Sequence, residues 1–438
     1  MPKSGLRVGV VFGGRSVEHD VSIITGLQAL EVLSERHDPK PIYIARSGRW
    51  YTGDELSRVA SYRRDEPVGS EVAFDIHGGA LSTAGRERGI LSLGRRADTS
   101  MKPDVVILAT HGTEGEDGCL QGVFEVAGLP YAGPSVSAAA AAMDKVMSKA
   151  ILTAAGLPVL PHIALRRESW QADRLAAEEA ILSRFEMPIF VKPASLGSSI
   201  GVSRCESAPE LADALQLVFE LDRSCLVERA VEGGIEVNCA VLGRAGQQLR
   251  VSVCEQPLPE KQFLSFDDKY LSGGKGSEEP SSGELSRREA RGDARGGVRG
   301  QEPGGGVASA VREAGGTPEA GAKLPGMQAA KRLIPAPIDA SLRAEIEQLS
   351  REVFEAFGCA GVSRIDFLLD AEGKPYVNEC NTIPGSFSFY LWERAGLSFV
   401  ELMDELIEIA FEEREQKKAT TRVFATNLLA ERMGAGKA

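Results

Sequence analysis

A chain of 438 residues has room for about three domains and an ample core. Its formal charge of −12, from 50 basic and 62 acidic residues, argues against a protein that coats nucleic acid or an anionic membrane, so a small substrate is expected. The seven cysteines, at 119, 205, 225, 239, 254, 359 and 380, form no C-x-x-C pair and have no histidine at zinc-ligand spacing, which suits a reducing, cytoplasmic setting.

The N-terminal "LRVGVVFGG" (6–14) is a short β-branched run closed by paired glycines. It is too short for a signal peptide, and no later run approaches the ~20 apolar residues of a membrane span. Apolar residues at Val17, Val21, Ile24, Leu27 and Leu30 then recur at helical spacing. A strand entering a helix through glycines predicts an open α/β domain, and "DVVILAT" (104–110), "GCLQGVFEVAG" and "LPYAG" continue the alternation over a first unit of 1–134. Glu18 falls at the positive end of the first helix, where an ionised carboxylate suits either a substrate ammonium or a cap. His111 directly follows a buried-looking strand, a frequent ligand position in open α/β sheets and equally a place for a structural histidine.

From "SVSAAAAAMDKVMSKAILTAAG" the pattern is helix, "MPIFVKPAS", "IGVSRC", a helix near 208–220 and "SCLVERAV", a second unit of 135–232. Neither G-x-x-x-x-G-K-[ST] nor a G-x-G-x-x-G after the first strand occurs, so nucleotide binding would need another device. "VKPASLGSSIGV" (191–202) offers one: strands flank a loop of small residues whose N–H groups can approach phosphate, with Lys192 as a point charge. An ordinary Ser/Gly hairpin has the same pattern. No Ser-His-Asp arrangement is legible around Ser198.

The third unit, 233–438, holds "IEVNCAVLG", "QLRVSVCE", a helix at 341–357 and a final helix from about 398 to 416. Residues 273–326 interrupt it with almost no large apolar side chain; such a stretch cannot offset its ordering entropy, and disorder is predicted. In the hairpin "SRIDFLLDAEGKPYVNECNTIPG" (363–385), strand alternation puts Arg364 and Asp366 on one face and Glu379 and Asn381 on one face. A two- or four-residue turn within 371–374 sets Asp366 opposite Glu379 and Arg364 opposite Asn381, whereas an odd turn destroys the shared face. Opposed carboxylates repel, so a cation belongs between them: Arg364, or a hard divalent ion with oxygen ligands.

Taken in order, "VFGGRSVEHDVS", "HGTEGEDGCLQG", "MDKVMSK", "VKPASLGSSIGV", "DDKY" and "RIDFLLD…NECNTIPG" resemble the D-alanine–D-alanine ligases of the ATP-grasp superfamily, from about residue 6 to 416 without the insertion. The resemblance implies an α/β (α+β), three-domain ATP-grasp fold with an open α/β N-terminal domain and ATP gripped between the second and third domains. It implies ATP-dependent joining of D-alanine to a second D-alanine, or a similar small acceptor, through an acyl phosphate, for peptidoglycan precursors. Positions matching Lys145 and Lys192 bind phosphates in the family, those matching Glu228, Arg229 and Val231 contact adenine, and Glu236 matches the ribose ligand; Ser199, Phe263 and Leu368 join this nucleotide set. Asp366, Glu379 and Asn381 match the ligands of two magnesium ions, which manganese can replace. By the same match Glu18, Ser198 and Tyr270 form a hydrogen-bonded chain at the first substrate, and Arg364 and the Gly385 N–H stabilise oxyanions. His111, Lys269 and Tyr390 fall at substrate positions, Lys269 where the second carboxylate binds.

Two departures stand out. Tyr390 occupies a position where the family usually has a serine that holds the acceptor's carboxylate; Ser386 or Ser388 are the nearby substitutes, and an acceptor other than D-alanine stays open. The insertion begins just after Tyr270, inside the loop that closes over the site in relatives. Tyr270 itself resembles the dipeptide-forming type. Relatives suggest a homodimer. A ligase using a different amino or hydroxy acid, and a non-catalytic nucleotide-binding relative, are the alternatives.

Overall fold

A computed structural model of the chain describes residues 5–62, 68–83, 101–258 and 331–421. The stretch predicted to be disordered, together with Phe263, Lys269 and Tyr270, lies outside the described residues.

The first sheet centres on β1 (Arg7–Gly13) and continues through β2 (Asp38–Ile44), β3 (Trp50–Thr52), β4 (Ser70–Asp75) and β5 (Ala80–Thr83) on one side and β6 (Val105–Leu108) and β7 (Tyr131–Ala132) on the other. β1 runs parallel to β2 and β6, and Val8, Val10 and Val11 are wholly buried; parallel strands covered on both faces read as unbroken apolar runs. Helix α1 (His19–Leu33) packs on this sheet, with 12 of its residues buried rather than a single stripe. Val17, counted in the helical spacing, precedes α1 and is 53% exposed. The extra burial comes from the far end of the chain: Phe387, Leu402, Met403 and Leu406 share one core with Val10, Leu27 and Leu30.

The second sheet is antiparallel, in the order β10-β9-β11-β8, with β8 (His162–Arg166), β9 (Ile189–Pro193), β10 (Ser203–Cys205) and β11 (Ser224–Arg229). The helix Ala208–Leu221, expected near 208–220, covers it through Leu211, Leu215 and Val218. In the third region come β12 (Ile235–Arg244), β13 (Arg250–Val251), a two-stranded ribbon of β14 (Gln256–Pro257) and β15 (Arg332–Leu333), then β16 (Ala360–Leu369) and β17 (Pro375–Asn381). Its main sheet, β13-β12-β16-β17, is backed by Ile346, Val353 and Phe354 of the helix Ala340–Phe357. All seven cysteines are free thiols, and no helix among the described residues is long and apolar enough to cross a membrane.

The ribbon places the two flanks of the long connection side by side: Pro257 pairs with Arg332, and the Leu258 N–H donates to the Lys331 carbonyl at 2.9 Å. A chain lacking residues 275–322 is therefore expected to keep a single cooperative thermal transition; loss of that transition in the shortened chain would show that the segment carries structure.

The hairpin departs from expectation in two places. Its turn has three residues, Ala371, Glu372 and Gly373, closed by the Asp370 N–H on the Lys374 carbonyl at 3.1 Å. Alone, this odd turn would pair Asp366 with Asn378 and aim Glu379 at the opposite face. A β-bulge beside Asp366 absorbs the extra residue, so Phe367 pairs with Val377 while Asp366 pairs with Glu379 and Arg364 with Asn381. The two irregularities cancel, and the shared face survives.

Candidate active site

Glu18 stands at the N-cap position of α1, yet its side chain makes no capping bond; it accepts a hydrogen bond from the Ser198 hydroxyl, in the loop joining β9 to β10. Close backbone approach makes this possible. A Cβ on Gly112, whose φ is +72°, would collide with Ser16 and Glu18, and one on Gly197 would lie 2.7 Å from Glu18 Oε2. Ser198 and Ser199 themselves adopt φ of +52° and +59°, a left-handed conformation that costs a non-glycine residue about 1–2 kcal/mol.

Two cavities meet at this loop. One of about 270 Å³ lies between the second and third sheets and is lined by all eight described residues of the predicted nucleotide set: Lys145, Lys192, Ser199, Glu228, Arg229, Val231, Glu236 and Leu368. The other, of about 70 Å³, is walled by Glu18, His111, Arg364, Glu379, Asn381 and Gly385. Lys145, Gly197, Ser198, Asn378 and Glu379 line both.

Lys145 opens helix α4 (Lys145–Ala154), which follows α2 (Cys119–Ala127) and α3 (Val136–Met143), and its Nζ donates to the Leu196 carbonyl at 2.7 Å. Lys192 donates to Glu228 Oε2 at 2.6 Å and to Asn378 Oδ1 at 3.3 Å. Lys149 was not singled out from sequence, although "MDKVMSK" sets it one turn after Lys145 on the same helix face. It is 1% exposed, and its Nζ lies 2.8 Å from Glu228 Oε1. Burial alone would push the Glu228 carboxyl up, but the ammonium groups of Lys149 and Lys192 outweigh it and hold it at about 2, below its ordinary 4.5. A depressed carboxyl stabilises the fold above its unfolded pKa and loses that contribution as pH falls towards the folded one. The stability advantage of the wild type over Glu228→Gln is thus expected to shrink between about pH 5 and about pH 3, read from urea midpoints at each pH.

On the hairpin, Arg364 forms a bidentate pair with Asp366, Nε to Oδ1 at 2.6 Å and NH2 to Oδ2 at 2.7 Å, and the Asn381 side-chain NH2 adds a bond to Oδ2 at 2.9 Å. Arg364 is therefore seated on one carboxylate of the opposed pair. Glu379 and Asn381 reach the cavity wall, with Asp366 behind them. Carboxylate and amide oxygens on one face fit a hard divalent cation that keeps water and phosphate ligands. No group of three or more His, Cys, Asp or Glu side chains gathers as a self-sufficient metal site among the described residues.

Beyond Gly385, Ser386, Phe387 and Ser388 take φ of +53°, +53° and +51° in succession. The Ser386 N–H donates to Thr25 Oγ1 at 3.2 Å, and Thr25 Oγ1 lies 2.9 Å from His111 Nε2, so this strained turn is tied to α1 and to the strand end that carries His111. Thr25 carries no sequence signal. Tyr390 is buried, its hydroxyl donating to Glu255 Oε1 at 3.0 Å; Arg332 contacts Glu255 Oε2 at 2.7 Å and stacks 4.4 Å from the tyrosine ring centroid. Ser386 and Ser388, the substitutes considered from sequence, are both buried.

Two antiparallel sheets closing on a lysine-lined cleft, beside an open sheet that lends an acid to its mouth, give the chain an ATP-grasp fold. Residues 7–134 match the family model of the D-ala D-ala ligase N-terminus, and residues 151–285 and 311–408 match that of the D-ala D-ala ligase C-terminus. The chain belongs to the D-alanine–D-alanine ligase family. It is 32% identical to the D-alanine–D-alanine ligase of Thermosipho africanus, covering 97% of this chain and 98% of that one, and 32% identical to D-alanine–D-alanine ligase A of Escherichia coli, covering 93% and 96%. Among solved structures it resembles the D-alanine-D-alanine ligase from Coxiella burnetii, at TM-score 0.70, 24% identity and 95% and 96% coverage. It also resembles the VanG D-Ala:D-Ser ligase from Enterococcus faecalis, at TM-score 0.68, 26% identity and 93% and 100% coverage.

Proposed function

We propose that the chain joins D-alanine to a second D-alanine, or to a similar small acceptor, at the expense of ATP. The nucleotide lies in the larger cavity, with Lys145 and Lys192 at its phosphates and Glu228, Arg229, Val231, Ser199, Glu236 and Leu368 around its base and ribose. The first substrate sits in the smaller cavity with its ammonium at Glu18. Its carboxylate oxygen attacks the γ-phosphorus, the bond to ADP breaks, and an acyl phosphate results. The acceptor amine then adds to the acyl carbon, and collapse of the tetrahedral adduct expels phosphate. Arg364 and the Gly385 N–H meet the negative charge that develops on oxygen. Glu379, Asn381 and Asp366 would hold magnesium, whose chemistry is to neutralise the phosphate oxygens.

The observation that carries this reading is the junction of the two cavities at Lys145, Ser198 and Glu379, where a phosphate end and a carboxylate can meet. Tyr390 favours a second reading of the acceptor, because its phenol is committed to Glu255 at the position where the family resemblance implies a serine hydroxyl. Incubation with Mg-ATP and a panel of D-amino and D-hydroxy acids, followed by phosphate release and product mass, decides between them. A D-alanine dipeptide supports the first, turnover with another acceptor alone supports the second, and nucleotide binding without turnover removes both. We further infer a cytoplasmic enzyme, a setting that its seven free thiols suit, and a homodimer as the family resemblance implies.

A further inference from the structure

Lys149 is a buried ammonium that the proposed reaction does not use. Its partners stand on different walls of the cleft: Glu228 Oε1 at 2.8 Å on β11, and the Val377 carbonyl at 2.9 Å on β17. Val377 immediately precedes the residue that the bulge absorbs, Asn378. Its N–H goes to the Pro158 carbonyl at 2.8 Å, so both outward-facing backbone groups of Val377 are held by α4 and the chain just after it. Lys192 spans the same gap, from Glu228 Oε2 to Asn378 Oδ1. Glu379, next along the strand, lines both cavities, so its aim depends on where the bulge is pinned.

We propose that Lys149 is a positioning residue whose ammonium ties the Glu228 wall to the Val377 edge and thereby sets where Glu379 meets the phosphate end of the cleft. The inference rests on reading the larger cavity as the nucleotide site. Helix α4 also carries Lys145, which grips the Leu196 carbonyl of the β9–β10 loop. One helix thus holds loop, cleft wall and acidic strand in a common register. Groups that orient ligands of a metal without touching it change affinity or turnover by about 10–100-fold when removed.

Lys149→Met and the wild type are compared by steady-state kinetics and by the electron paramagnetic resonance spectrum of bound Mn(II)-ADP. The variant is expected to lose about 10–100-fold in kcat, to keep its KM for ATP within about threefold, and to show an altered Mn(II)-ADP line shape. Lys149→Gln, which keeps an N–H donor without the charge, is expected to recover part of the loss. A raised KM with unchanged kcat, or an unchanged spectrum, overturns the proposal. If Lys149→Met fails to fold because Glu228 loses a counter-charge, Lys149→Met/Glu228→Gln is set against Glu228→Gln instead. Persistence of the kcat loss and spectral change there supports positioning, and their disappearance reduces Lys149 to a neutraliser of Glu228. A wild type that takes up no Mn(II)-ADP refutes the nucleotide reading itself, whereas uptake by wild type and variant with identical spectra refutes only the role of Lys149.

Discussion

Glu379→Gln is expected to lower kcat/KM by on the order of 10³-fold while leaving the protein folded. Its neighbour across the ladder, Asp366, is already matched by Arg364, and Glu379 lies where both cavities open. The substitution keeps the shape of the side chain and removes one negative charge from a face that carries two. In the protein without nucleotide, the glutamine keeps the size and a hydrogen-bonding oxygen, so the melting temperature is expected to stay close to that of the wild type. With Mn(II)-ADP, the same loss of charge weakens cation uptake, and titration calorimetry should show a weaker metal-dependent component than in the wild type. Near-normal turnover in Glu379→Gln would remove this residue from the reaction.

Arg364→Met should fail in two separable ways. Asp366 is 1% exposed, and taking away its bidentate partner leaves a buried carboxylate without its counter-charge on the hairpin, a loss of about 3–5 kcal/mol in stability. On the proposed reaction, turnover should fall by about 10²–10³-fold as well, because Arg364 is the cation assigned to the developing oxyanion. Adding Asp366→Asn removes the stranded charge, so the double variant is expected to regain most of the urea midpoint and little of the activity. Recovery of both together would mean that Arg364 serves the fold alone.

Much of the site was legible from local pattern. Alternation along the strands put Arg364 with Asp366 and Glu379 with Asn381, and both pairs hold; that the two pairs share a face rests on the bulge, not on the even turn expected. The helices at Ala208–Leu221 and Ala340–Phe357 fall within a residue of where their periodicity placed them. The place of Glu18 at the positive end of a helix suits a cap or a substrate ammonium; the fold gives its carboxylate no capping bond and puts it on Ser198, 180 positions away, as the resemblance implies.

What the sequence alone determined are features whose cause is short-ranged: strand alternation, helical spacing, glycines where backbone must come close, and an ordered series of motifs that marks the family. Tertiary structure decided how those pieces register against one another. The three-residue turn and the bulge at Asn378 each break the hairpin's symmetry, and no local propensity says that they offset; Lys149 donates to the Val377 carbonyl beside the bulge from 228 positions away. Thr25 meets Ser386 across 361 positions, and Glu255 gathers Tyr390 and Arg332 from two further segments. Such contacts depend on burial, which strips water from charged and polar groups and makes each of them take a partner wherever the fold brings one, however far away in the chain.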